Sequence, residues 1–160
     1  MKKTFLLLTL LLFTFAYATA QTSGNVAAPS AQQLSRLGLK GATLQKAHDG
    51  IWSVRMGKKK SGHIINSTPY AQSIRGYRGT TPVLVYVDAG GTVKKLMALQ
   101  NRETPEYFQD AEPLLRRWVG KQARKAETMN VDVVTGATYS SKGLIGNVRA
   151  ALKAYREHVK

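Results

Sequence analysis

A chain of 160 residues with 43% hydrophobic content has enough apolar material for one domain with a true core, and too little length for two. It contains no cysteine, which excludes a disulfide framework, thiol redox chemistry and ligation of an iron–sulfur cluster; any redox role needs a bound organic cofactor or a metal. Lys and Arg number 24 against 9 Asp and Glu, a net charge of +15, which suits a solvated basic surface, an anionic headgroup layer or an acidic partner.

Lys2 and Lys3 precede an apolar run from Phe5 to Ala18 that is broken only by Thr9 and Thr14, and Ala18-Thr19-Ala20 then offers a small-x-small cleavage site. This pattern predicts a signal peptide over 1–20, cleaved near Ala20, and export across the cytoplasmic membrane to a periplasmic or other extracytoplasmic location. An uncleaved anchor is the alternative, but the run is short against the roughly 20 residues of a spanning helix. No cysteine follows the cleavage site, so a lipid-modified N-terminus is excluded. Residues 21–35 carry no hydrophobic period, and a flexible leader is expected over 21–41. Leucines at 34, 37, 39 and 44 hint at a short helix interrupted by Gly38 and Gly41. Ile51 to Arg55 reads as a short strand, Lys58-Lys59-Lys60 as a turn, and His63 to Asn66 as a second strand.

The clearest β signal follows. Val83, Val85 and Val87 alternate with Leu84, Tyr86 and Asp88, a strand with both faces largely apolar. Asp88-Ala89-Gly90-Gly91 supplies the turn, and Thr92 to Gln100 returns. Thr104-Pro105-Glu106 reads as an N-cap, a first-position proline and a first-turn acid, opening a helix to about Val119 with Pro113 as an interruption. A basic connector, Lys121 to Lys125, leads to Val131–Val134, a strand in the plainest reading, and then to a glycine turn with Thr138 or Ser140 capping the last helix, about 140–158. Leu144, Ile145, Val148, Ala151, Leu152, Tyr155 and Val159 give that helix one apolar face. The expected class is α+β, a small antiparallel sheet built on the 82–100 hairpin with helices packed on it.

Several patterns fail on spacing. Gly57-Lys58-Lys59-Lys60-Ser61-Gly62 imitates a phosphate loop, but His63 stands where a lysine followed by Ser or Thr is required. No G-x-G-x-x-G occurs, His48, His63 and His158 lack metal-ligand spacing, and export together with the lack of any nucleic-acid fold signature argues against nucleic acid. Asn66-Ser67-Thr68 fits a glycosylation acceptor only as a three-residue pattern.

Asp132-x-x-Thr135-Gly136-Ala137-Thr138, continued by Tyr139-Ser140-Ser141, is denser in hydroxyls than a cap requires. It resembles the attachment motif of covalent FMN-binding domains, such as the flavin-carrying subunits of the Rnf complex and of the sodium-pumping NADH:quinone oxidoreductase. Gly76-Tyr77-Arg78-Gly79, the 83–100 hairpin and Glu103-Thr104-Pro105 match landmarks of that family in the same order, so the resemblance covers roughly residues 63–155 of an expected domain at 42–160. It implies that a FAD:protein FMN transferase esterifies Thr138 with FMN. It also implies a cofactor site at Thr135, Gly136, Ala137, Tyr139, Ser140 and Ser141, ring contacts from Glu103 and Thr104, and a transferase-recognition role for Asp132. The chemistry agrees: a phosphoester needs an alcohol, small neighbours admit a bulky nucleotide, and a helix start favours a phosphate. Gly41-Ala42-Thr43 repeats the last three motif residues, but with Lys40 and Leu37 in place of the hydroxyl and the acid, so Thr43 is expected to stay unmodified. Glu106 departs from the glycine common in relatives after the proline.

These features predict an exported flavoprotein that relays electrons between protein redox partners, membrane-bound ones among them, and is more a carrier than a stand-alone enzyme. A cofactor-free basic module for an anionic membrane surface, and a flavin-dependent reductase of a small acceptor, are the alternatives.

Overall fold

A valine ladder with a second apolar face needs cover on both sides, and the architecture follows from that demand. The computed structural model describes residues 26–159; the expected signal peptide lies outside them. Five strands, β1 (Thr43–His48), β2 (Ile51–Met56), β3 (Lys59–Asn66), β4 (Val83–Asp88) and β5 (Val93–Ala98), form one antiparallel sheet in the order β1-β2-β3-β4-β5. Val85 of β4 sits opposite Ile65 on one side and Leu96 on the other. The period of two sends Val83, Val85 and Val87 to one face and Leu84 and Tyr86 to the other, and all five are buried.

The first face receives the helices α2 (Pro105–Ala111), α3 (Ala123–Ala126) and α4 (Thr138–His158). The stripe read from the sequence is the buried one: Leu144, Val148, Ala151 and Leu152 are wholly enclosed, and Ile145, Tyr155 and Val159 nearly so. Each enclosed leucine or valine contributes about 1.5–3 kcal/mol. Pro113, which has no N–H, ends the α-helical ladder of α2, and the chain continues as a 3-10 segment, Glu112–Trp118. Trp118 closes that segment fully buried, its Nε1–H donating to the Ala126 carbonyl at 3.2 Å. The α+β class and the hairpin are as expected.

The second face corrects the leader. Helix α1 (Ala31–Arg36) lies within the stretch 21–41, and Leu34, Leu37 and Leu39 pack with Trp52, Ile64, Leu84 and Met97. Ordered structure therefore begins well before residue 42, because the Leu84 face of β4 would otherwise meet water. Ser30 closes a capping box: its hydroxyl accepts from the Gln33 N–H at 3.2 Å, and the Gln33 side chain accepts from the Ser30 N–H at 2.8 Å. Ser30→Ala is expected to destabilise the protein by about 1 kcal/mol, read from the midpoint of urea unfolding; an unchanged midpoint would show that this turn is not coupled to the sheet.

Other expectations change locally. Residues 43–48, expected in a broken helix, are the edge strand β1, drawn into pairing with β2 through Leu44 opposite Val54 and Lys46 opposite Trp52. The turn expected at Lys58-Lys59-Lys60 is narrower, since Lys59 and Lys60 already belong to β3. Val131–Val134 is not a strand. Val131 and Val134 lean on the helix-side core while Asp132 and Val133 are exposed, a spacing of three where a strand requires two.

Candidate functional site

Helix α4 starts two residues earlier than expected, so Thr138 is its first residue and Ala137 its N-cap. Neither Thr138 nor Ser140 caps it: no side chain bonds the free end, and its first turn holds no acid. By helix geometry the leading N–H groups lack intrahelical partners, and the end carries roughly half a positive charge. Gly136, with φ +84°, makes the left-handed turn that brings the chain into the helix, a conformation open to glycine and costly to other residues.

Thr138, half-buried, opens onto a cleft of about 260 Å3 lined by Tyr77, Tyr107, Gly136, Ala137, Tyr139 and Ser140. Its walls are three tyrosines of unusual exposure, 61% for Tyr77, 47% for Tyr107 and 64% for Tyr139. Tyr77 stands 6.4 Å from Tyr107 and 6.2 Å from Tyr139 between ring centroids. Large aromatic groups left in water offer faces for a flat ligand. The cleft is smaller than the roughly 300–1,000 Å3 usual for an enclosed small-molecule pocket. An uncapped helix end with a hydroxyl suits an anionic phosphate, and the aromatic rim suits a flat ring.

α4 is held in this posture from two directions. Deep in the fold, Asn147 Oδ1 accepts from Ser67 Oγ at 2.7 Å, while its Nδ2 donates to the Gly143 carbonyl at 3.0 Å and reaches Thr81 Oγ1 at 3.4 Å. Ser67 Oγ in turn accepts from the Val83 N–H at 2.9 Å, so the helix is tied to the start of β4. Nearer the cleft, the helix meets the Gly76–Gly79 turn so closely that a Cβ on Gly143 would lie 2.8 Å from Gly76 Cα.

Glu103 joins these parts. Its buried carboxylate accepts from the Tyr77 N–H at 3.0 Å, the Arg78 N–H at 2.8 Å and the Ser140 hydroxyl. Burial alone pushes this carboxyl up, but the hydrogen bonds from Ser140, Arg78, Tyr77 and Gly79 outweigh it and hold the group below its ordinary value of 4.5. The Asn101 side chain accepts from the Glu103 N–H at 3.0 Å and turns the chain inward. Both carboxylate oxygens are thus engaged by protein, and Glu103 does not line the Thr138 cleft. Thr104 stands beside it as the N-cap of α2 without a side-chain cap bond.

The structure distributes the other expected residues unevenly. Gly136, Ala137, Tyr139 and Ser140 gather with Thr138 around the cleft, and Thr135 is exposed in the preceding turn. The Ser140 hydroxyl donates to Glu103, and Ser141 Oγ, fully buried, accepts from the Val134 N–H at 3.1 Å. Both serines brace the loop. Asp132 lies in a different cleft of about 320 Å3 with Arg117 and Lys121. Thr43 is exposed on edge strand β1, with no helix start beside it. Tyr107 was not singled out by the sequence, and Tyr77 only as part of a landmark. Their signal was an aromatic in polar surroundings that fits no apolar period.

Residues 76–153 match the model of the FMN-binding domain family. The chain is also similar to a subunit of the ion-translocating oxidoreductase complex of Aliivibrio fischeri, with 29% identity over 96 residues, covering 52% of this chain and 46% of that protein. The chain thus spans about half the length of this relative. Among the described residues no helix is long and apolar enough to cross a membrane.

Proposed function

We propose that this protein, whose residues 76–153 match the FMN-binding domain family, is an exported flavoprotein that carries FMN esterified to Thr138 and relays electrons between redox partners. The observation that carries the reading is a threonine hydroxyl at the first position of an uncapped helix, opening into a cleft walled by tyrosines. In the proposed maturation step Thr138 Oγ1 bonds to the FMN-side phosphorus of FAD. The diphosphate P–O bond breaks, AMP leaves, and the hydroxyl proton passes to the transferase. Bound FMN would supply the redox chemistry; the chain supplies position. The leading N–H groups of α4 would hold the ester phosphate, and the helix dipole would favour its charge. Tyr77, Tyr107 and Tyr139 would hold the ring, and Glu103 keeps the Tyr77 loop and α4 together. Asp132, exposed and apart from the cleft, is left for recognition by the transferase. A relative that belongs to an ion-translocating oxidoreductase complex supports electron transfer, with membrane-bound protein partners. The N-terminal pattern of residues 1–20 supports an extracytoplasmic location.

Co-expression with a FAD:protein FMN transferase tests the assignment. Wild type and Thr43→Ala are expected to gain the mass of one FMN and to fluoresce in a denaturing gel, and Thr138→Ala to do neither. Asp132→Asn is expected to slow the transfer without lowering the melting temperature. An unmodified wild-type mass under these conditions overturns the proposal.

A further inference from the structure

Arg75, Arg78 and Arg102 line one cleft of about 780 Å3, which shares Tyr77 with the Thr138 cleft. All three side chains are exposed, and among the described residues none has an ion-pair or hydrogen-bond partner. Elsewhere arginines stitch the fold: Arg124 donates to the Arg156 carbonyl at 3.2 Å, and Arg149 to the Met129 carbonyl at 3.0 Å. A second basic concavity, with Arg36, Lys95 and Arg116, is lined by Glu112 as well, so its charge is partly offset. No acid lines the Arg75 cleft. The adjacent carboxylate, Glu103, is buried beneath it and engaged by the Tyr77 and Arg78 N–H groups and Ser140, so it fixes the loop that displays the arginines without pairing with their guanidinium groups.

We infer that this cleft is the docking site for a carboxylate-rich surface of a protein redox partner. Guanidinium groups bind carboxylates in paired, directional hydrogen bonds, and side chains of a protein can enter a concavity that a planar headgroup layer spans. Tyr77 lines both clefts, so a partner seated on the arginines reaches the rim of the Thr138 cleft. The redox purpose of docking rests on the flavin reading; the recognition itself does not.

The test is binding of a hexaglutamate peptide to the full chain, flavin-free and flavinylated, at about 0.1 M salt, where charges more than roughly 10 Å apart are screened. The triple variant Arg75→Gln, Arg78→Gln, Arg102→Gln is expected to bind about tenfold more weakly, the sum of three modest surface ion pairs. The control Lys58→Gln, Lys59→Gln, Lys60→Gln removes equal charge elsewhere and is expected to change binding less than about twofold. Thermal melts check that both variants are folded, and melting temperatures near wild type are expected. Equal losses in the two triples, or none in the arginine triple, overturn the inference. So does displacement of the peptide by an equal concentration of inorganic phosphate, or a loss confined to vesicles containing phosphatidylglycerol. Flavin-free protein gives the same readout, so failure of the Thr138 assignment and failure of the cleft are told apart.

Discussion

Replacing Glu103 with alanine is expected to destabilise the protein by about 3–4 kcal/mol and to lower its melting temperature by roughly 10 °C or more. The variant leaves the Tyr77 and Arg78 N–H groups and the Ser140 hydroxyl without their acceptor. An orphaned buried donor costs about 1–3 kcal/mol. The total stays below the simple sum because Tyr77 and Arg78 lie on an exposed loop that can turn partly to water. Glu103→Gln keeps the shape and one acceptor oxygen, so a loss of about 2 kcal/mol is expected, that of the charge-assisted part. The pH dependence has a definite sign. Glu103 has a folded pKa below its ordinary 4.5, so its stabilisation is fully present above the unfolded value and is lost as pH falls from about there through the lower folded value. Wild type should therefore lose stability on acidification by a contribution that both variants lack. Thermal unfolding followed by circular dichroism between neutral and acid pH measures this. A Glu103→Ala melting temperature within about 2 °C of wild type would show that the carboxylate is not the clamp.

Gly143→Ala is expected to destabilise by about 2 kcal/mol, although alanine is the better helix former. Propensity alone favours the substitution by about 1 kcal/mol. The new Cβ would meet Thr81 Oγ1 at 2.7 Å, Gly76 Cα at 2.8 Å and Gly76 N at 2.9 Å. Two of these are backbone atoms, in the turn that Glu103 holds, and the third belongs to a buried side chain near Asn147. Since none is the loose end of a flexible chain, overpacking of about 1–3 kcal/mol falls at its upper end. Relief comes by lifting α4, which carries Thr138 away from Tyr77. Flavin incorporation should drop along with the melting temperature, whereas Gly146→Ala, facing the pliable Ile74 side chain at 2.7 Å, should leave incorporation near wild type. A Gly143→Ala protein of unchanged stability would show that the helix and turn can separate freely.

Much of this was legible in the residues because it depends on short-range pattern. The Val83–Val87 alternation marked strand β4, and the Leu144–Val159 stripe marked the buried face of the last helix. The resemblance around Thr138 pointed to a hydroxyl that does open into a cleft. What escaped depends on distant partners. Three leucines around a six-residue helix are too brief a pattern to announce a cover, and only the second apolar face of β4 explains them. Val131–Val134 looked like a strand by composition, but its burial follows a spacing of three. Glu103 was singled out, but not as a carboxylate that joins groups 25, 26 and 37 residues away. No local motif encodes such a bond.

The sheet runs in simple chain order, so each strand can zip onto its predecessor as the polypeptide emerges. The Thr138 cleft cannot be assembled that way. Its walls come from residue 77, residue 107 and the first turn of α4, and its brace from Glu103. Tyr77 and Glu103 both precede that helix in the chain. Until that helix docks, the paired strands have an uncovered valine face and present no place for a cofactor. A transferase that reads the assembled cleft would act only on completed molecules, and loading would then be a built-in check on folding.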